Sequence, residues 1–319
     1  MKLPSPTDND DSLGLRAAWL HYVGGLTQAE VARRLGLPSV KTHRLIARVV
    51  AEGAVKVTID GDIVACVELE AQLCARYGLN FCRVAPDLAE EGLPVRALGM
   101  AGADYLRTVL VNDPDITIGL GHGRTLSAAI HQLPRMDAHR VRFVSLLGCL
   151  TRNYALNPHD VMHRIAEKTG ARAYMMPVPF FANTVEDREV LLAQRGVSEV
   201  FKMAAESALK LVGIGTVEPA AQLVEAGMIE AQEIKDISAS GAVGELLGHF
   251  FDARGQRIEN GLTARTTAVS LASARRDNIV ALVGGRSKVA ALRAVLASGL
   301  LSGLITDELT AQALLSEPD

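Results

Sequence analysis

Aromatic residues are scarce: they make up 4% of the 319-residue chain, with one tryptophan, five tyrosines and seven phenylalanines. That poverty argues against a lectin-like surface or an aromatic-rich sandwich, and the plentiful alanine, leucine and valine favour an α/β core. Cysteine is equally sparse. Cys66, Cys74, Cys82 and Cys149 form no C-x-x-C pair and have no histidine at metal-ligand spacing, so no metal site is expected. Reduced, buried thiols in a cytoplasmic protein are the expectation. No apolar run approaches the roughly eighteen residues of a membrane span, so no membrane partner is expected. The opening MKLPSPTDNDD is too polar and acidic for a signal peptide and reads as a disordered lead-in, residues 1–12. Repeats and low-complexity segments are also lacking. The net charge of -3 carries no nucleic-acid signal by itself. The length suits one large domain and one small one.

What is present starts with TQAEVARRLGLPSVKTHRLIARVVAE, residues 27–52. Thr27 and Glu30 have the T-x-x-E spacing of a capping box, placing a helix start just before Val31, Ala32 and Leu35. Gly36 breaks that helix, and Pro38 and Ser39 suit the start of a second one. Leu45, Ile46, Val49 and Val50 form the inward face of this second helix. Two short helices joined through a glycine turn read as a helix-turn-helix. Ser39, Lys41, Thr42, His43, Arg44 and Arg48 lie near the start and on the outer face, as candidates for phosphate and base-edge contacts with DNA. Between Thr27 and Val57 six basic residues face two acidic ones, a local excess of +4 in a negative chain. An earlier helix, Leu13–Gly24, brings the single tryptophan, Trp19, to close the small core. After the second helix, Ala54–Ile59 alternates like a strand and Asp60-Gly-Asp62 like a turn, which suggests a wing and a linker near residue 60. The DNA-binding domain is thus expected at residues 13–60.

From Val67 onward, short apolar strands alternate with helices. Strands are expected at 81–84, 116–119, 141–147, 172–176, 211–214, 268–271, 279–283 and 304–306. Helices are expected at 67–77, 94–110, 125–133, 158–169, 185–194, 243–251 and 286–297. The alternation predicts an α/β fold, a doubly wound and largely parallel sheet over residues 61–319, with the ligand beyond the carboxyl ends of the strands.

Three glycine-containing loops follow strands: Gly119-Leu-Gly-His-Gly-Arg-Thr125, Gly213-Ile-Gly-Thr216 and Gly284-Gly-Arg-Ser-Lys288. Small residues let backbone N–H groups approach an anion, and Arg124 and Lys288 each add positive charge at a helix start. Two such loops at one sheet edge point to a phosphorylated small molecule. The first loop is neither a P-loop nor a strict G-x-G-x-x-G.

These segments, together with LVGIGT, GAVGELLGHFFDARG and GGRSKVAALRAVLASGLLSGLITDELTA, resemble the SorC/DeoR family of bacterial sugar-binding transcriptional regulators from about Leu13 to Leu315. The resemblance implies an effector domain related to sugar-phosphate isomerases, a homo-oligomer, usually a tetramer, and control of a sugar or polyol catabolic operon, commonly as a repressor. It also implies that Gly121, Gly123, Arg124 and Thr125, with Thr216 and Lys288, hold the phosphate and nearby oxygens. Glu245 stands where aspartate usually faces the sugar hydroxyls, and His122 where tryptophan is frequent, which suggests an effector of different length. Thr42 replaces a commonly apolar residue. The whole chain is similar to repressors of erythritol-type polyol operons. The expected protein is a non-enzymatic regulator without a cofactor, binding operator DNA and a phosphorylated sugar or polyol.

Two other readings use the same residues. A sugar-phosphate isomerase or deaminase would use Glu245 as base and Lys288 as phosphate anchor, but has no need of a helix-turn-helix. A nucleotide-binding module would need an acidic ribose partner about 20 residues past the first loop, where only Asp137 stands nearby. His159 and His163 share a helix face without the glutamate of a zinc protease and read as surface groups. Asn153 could bond a sugar hydroxyl or cap a loop. Asp307 and Glu308 read as a structural helix start.

Overall fold

Local signals in residues 6–52 build a three-helix unit: α1 (Pro6–Tyr22), α2 (Gln28–Leu35) and α3 (Ser39–Ala51). In this computed structural model the described residues are 6–52, 54–55, 64–151, 161–219, 221–271 and 278–316. The chain divides into two compact units, residues 1–61 and 62–319. The expected wing and linker, Asn153 and His159 fall largely or wholly outside the described residues.

The capping box forms at α2. Thr27 Oγ1 accepts from the Glu30 amide (3.3 Å), and a Glu30 carboxylate oxygen accepts from the Thr27 amide (2.8 Å). Gly36 ends α2 with φ 66°. Ala17, Val31 and Ile46 form the buried core of the unit. Two expectations are corrected here. Trp19 does not close the core but is 60% exposed, with Leu15 and Tyr22 on α1 and Val23 just past it also exposed. The reason is the closeness of α1 to α3: a Cβ at Gly14 would stand 2.7 Å from Val49 Cγ2. Such a crossing admits only small side chains, so Gly14, Ala17 and Ala18 turn inward and the large residues turn out. Val50, likewise expected inside, is exposed, while Leu45, Ile46 and Val49 are buried. α1 also begins at Pro6, so residues 6–12 are helical and not a disordered lead-in.

The second unit opens with α4 (Val64–Tyr77) and β1 (Phe81–Ala85). Then follow α5 (Val95–Asn112), β2 (Thr117–Leu120), α6 (Arg124–Gln132), β3 (Arg142–Leu150), α7 (Met162–Thr169), β4 (Arg172–Pro179), α8 (Val185–Ala193), α9 (Arg195–Ala205) and β5 (Leu209–Val212). After α10 (Gln222–Glu225) and α11 (Ala231–Ala239) comes a hairpin sheet, β6 (Ala242–Leu246), β7 (His249–Asp252) and β8 (Arg257–Ile258). The chain closes with β9 (Ile279–Leu282), a 3-10 turn Arg286–Lys288, α12 (Val289–Ala297), β10 (Gly303–Asp307) and α13 (Glu308–Ser316). Seven strands form one sheet in the order β1-β10-β9-β5-β2-β3-β4. Every pair in it is parallel. Buried clusters line its two faces, so its strands read as near-continuous apolar runs.

Two segments depart from the sequence expectation. Residues 243–251, expected as a helix, form the β6–β7 hairpin, with Leu246 opposite His249. Leu247 and Gly248 between them have φ 50° and 75°, the paired positive values of a two-residue hairpin turn. Residues 268–271, expected as a strand, contribute one isolated bridge, Ala268 to Leu147. Backbone hydrogen bonds from Val269 N to Leu146 O (2.9 Å) and from Gly148 N to Thr267 O (3.0 Å) hold the segment on β3, with Ala268 and Val269 buried, but no strand forms.

The reversed face of α1 is testable. Ile46→Ala should destabilise the N-terminal unit by about 2–5 kcal/mol, whereas Trp19→Ser should stay within about 0.5 kcal/mol of the parent. Urea unfolding followed by circular dichroism separates the two.

Candidate effector pocket and nucleic-acid face

Strand order decides where a pocket can form. β2 leads on to β3 and β4 on one side, whereas β5 returns to the other side of β2, followed outward by β9. Connections leaving β2 and β5 therefore diverge, and a crevice opens at the carboxyl ends of the strands. The loops after β2, β5 and β9, the three singled out in the sequence, meet there. His122, Gly123, Arg124, Thr125, Thr216, Glu245 and Lys288 all line this pocket. Gly121 does not line it; its amide donates to Leu211 O at 2.9 Å and extends the sheet.

Hydrogen bonds running between neighbouring loops hold the pocket wall. Thr125 Oγ1 donates to Leu282 O at the end of β9 (2.8 Å), and Lys288 Nζ donates to Ile214 O after β5 (2.7 Å). Gly285 N donates to buried Asp307 (3.0 Å), which also caps the start of α13 by accepting from Thr310 N (3.0 Å). That is the structural role expected of Asp307. Gly215 and Glu245 exchange two backbone hydrogen bonds of 2.9 Å, tying the β5 loop to the hairpin. A Cβ on Gly215 would meet Glu245 Oε2, so glycine here leaves room for that carboxylate where it stands.

Arg124 is exposed at the start of α6. Gly123 takes the N-cap position with φ 127° and offers no side-chain cap, so the first N–H groups of α6 remain for an anion. Glu245 is buried, and its Oε1 accepts from Gly248 N at 2.6 Å. Burial pushes its pKa up, against the opposing pull of the Gly248 amide, the Lys288 charge and the Gly215 amide. Burial pushes Lys288 down, with Glu245 working against it and Arg124 adding to it. His122 packs edge-on against Phe180, with ring centroids 5.4 Å apart. Gly284, in the third of the glycine loops, lines the pocket too, and Leu93, Gln222 and Leu247 join it without having been singled out in the sequence.

On α3, Ser39, His43 and Arg44 are exposed. Lys41 is held by Asp10 (3.0 Å) and Arg48 by Asp11 (2.5 Å), both on α1. Ion pairs this exposed are weak, so both cations can exchange carboxylate for phosphate at small cost. Thr42 is corrected: it is fully buried, and its hydroxyl donates to Pro38 O at 3.2 Å, so it cannot reach a groove. Val40, missed because it is apolar, is 82% exposed on the outer face and suits a thymine methyl.

Residues 61–316 match the family model described as "Putative sugar-binding domain". An erythritol catabolism regulatory protein of Brucella abortus is 64% identical over 312 residues, 98% of this chain and 99% of that one. The chain belongs to the SorC/DeoR family of sugar-binding transcriptional regulators. A domain of a possible sugar-binding transcriptional regulator from Arthrobacter aurescens matches with TM-score 0.71 and 26% identity, covering 81% of this chain and 100% of that one. The full-length sorbitol operon regulator of Klebsiella pneumoniae shares the fold, with TM-score 0.69 and 24% identity over 97% of this chain and 100% of that one. Among the described residues no helix is long and apolar enough to cross a membrane, and no three potential metal ligands converge.

An anion entering beside Lys288 and Glu245 favours the protonated form of both, so its binding should take up protons. For Lys288 the uptake grows as pH rises toward the lowered pKa of the free protein. Calorimetric titration in buffers of different ionisation enthalpy measures it; a proton count of zero or below would contradict the burial of this pair.

Proposed function

We propose that this regulator binds operator DNA through α3 and that a phosphorylated sugar or polyol in the crevice sets its operator affinity, with repression as the ground state. The observation that carries this reading is the convergence of Arg124, Lys288 and the uncapped α6 terminus on one pocket beside buried Glu245. Cations and free N–H groups supply a phosphate end, and a fixed carboxyl supplies an acceptor for hydroxyls. Glu245 reaches back against Gly215 and the Gly248 amide, so its extra methylene relative to aspartate takes up pocket space. A short ligand fits that, and the Brucella abortus relative is named for erythritol catabolism. Erythritol and its monophosphate are therefore the first ligands to test.

Ser39, Val40, His43 and Arg44 form the DNA-facing set, with Lys41 and Arg48 released to phosphates. One helix-turn-helix makes too few contacts to select a site, so a homo-oligomer, a tetramer by family resemblance, presents paired helices to operator half-sites in the cytoplasm. Ligand binding need favour one arrangement of that oligomer by only about 1–3 kcal/mol to change operator affinity 5- to 150-fold.

Single substitutions separate the two sites. Arg44→Ala should weaken operator binding by about 1–3 kcal/mol with effector binding intact, whereas Lys288→Ala should abolish the effector response while operator binding persists. Fluorescence anisotropy on promoter DNA, with and without erythritol monophosphate, reads both. Retention of both activities in both variants would sink the site assignment.

A further inference from the structure

One buried polar atom lining the effector pocket makes no hydrogen bond among the described residues. Thr125, Lys288 and Glu245 each make a hydrogen bond within the protein. Gln222, at the start of α10, also lines the pocket, yet its Nε2 is buried and has no hydrogen-bond partner among the described residues. The carboxamide stands over the N-terminal turn of α6: Oε1 and Nε2 lie 3.7 and 3.9 Å from the position a Cβ on Gly123 would occupy. Either orientation of the amide therefore places a donor above the same turn. A buried donor without an acceptor is costly to a folded protein and calls for an explanation, which a ligand oxygen would supply.

Charge sets what that ligand can be. Arg124 and Lys288 are the lysine and arginine side chains lining the pocket, Glu245 opposes them from inside it, and Glu218 acts on Lys288 from nearby. Two cations set against these carboxylates suit one phosphoryl dianion. A second phosphoryl group would enter a site with no cation left for it and with a neutral amide where a further positive charge would be needed.

We propose that Gln222 is an effector-binding, specificity-determining residue whose Nε2 donates to the single phosphoryl group over the α6 terminus, and that the pocket takes a monophosphorylated polyol or sugar and rejects a bisphosphorylated one. This rests on the phosphorylated effector proposed above. Gln222 completes the anion end with a hydrogen bond and no charge, so it tightens binding of one phosphate without recruiting a second.

The test is calorimetric titration of the full chain with erythritol, erythritol 4-phosphate and erythritol 1,4-bisphosphate, for the parent, Gln222→Ala and Gln222→Glu, beside the Tm of each ligand-free protein. The parent should bind the monophosphate more tightly than the bisphosphate. Gln222→Ala should weaken monophosphate binding about tenfold or more with the ligand-free Tm unchanged or raised, because an unsatisfied donor has been removed. Gln222→Glu, similar in shape but an acceptor, should weaken it further. Equal monophosphate affinity in parent and Gln222→Ala, a lowered ligand-free Tm that accounts for the loss, or tighter binding of the bisphosphate would each overturn the inference while leaving the phosphorylated effector in place. A parent that binds neither phosphate would overturn both.

Discussion

The effector unit depends on one topological fact: the chain returns from β4 through α8 and α9 to place β5 on the far side of β2. The steps from β2 to β3 and from β3 to β4 run outward on one side of β2. At the return to β5 the connections diverge, and the carboxyl ends of β2, β5 and β9 are left uncovered together. Hydrogen bonds then run sideways between loops. Thr125 reaches β9, Lys288 reaches the loop after β5, and Gly215 pairs with Glu245 on the hairpin. A crevice fixed by its own cross-links is preorganised, so a ligand need not order it.

Burying Glu245 and Lys288 in that crevice is unfavourable for each charge alone, as their opposite displacements show. Their mutual attraction offsets part of this, and backbone amides of Gly248 and Gly215 offset more on the carboxyl side. The pair also ties two elements of the effector unit together. Lys288 sits at the head of α12, Glu245 is on β6, and α12 packs on β6, where Gly244 lets the backbones approach closely. An anion that changes the charge state of the pair therefore acts on helix and hairpin at once. That is the kind of element whose two arrangements a regulator can exploit.

In the N-terminal unit the same economy appears as a close helix crossing. Gly14 brings α1 against α3, which turns the bulky side of α1 outward and places Asp10 and Asp11 beside Lys41 and Arg48. α3 is thus partly neutralised by its own neighbour, through exposed pairs that are weak.

Local chemistry fixed much of this in advance. The Thr27–Glu30 box, the Gly36 stop, the strand-glycine-helix junctions at 119–125 and 284–288 and the glycine loop 213–216 depend on residues a few positions apart, so they are legible in the sequence and stand where expected. The apolar run 243–251 was ambiguous because Leu247 needed φ 50° to turn it into a hairpin, a conformation no propensity assigns to leucine. Trp19, Val50 and Thr42 were misplaced for a different reason. Which face of a helix is buried depends on how near its partner lies, and that is decided by packing across the unit. Gln222 shows the same limit most clearly. Its four-residue helix has no sequence signature of a site. Its importance arises only because the fold sets it over Gly123, about a hundred residues earlier in the chain. Sequence by itself determined most of the elements, the α2 caps and the loops that could hold an anion, since those follow from local backbone chemistry. Tertiary structure alone decided which side chains face inward and which polar atom is left unpaired, because both depend on distances between segments far apart along the chain.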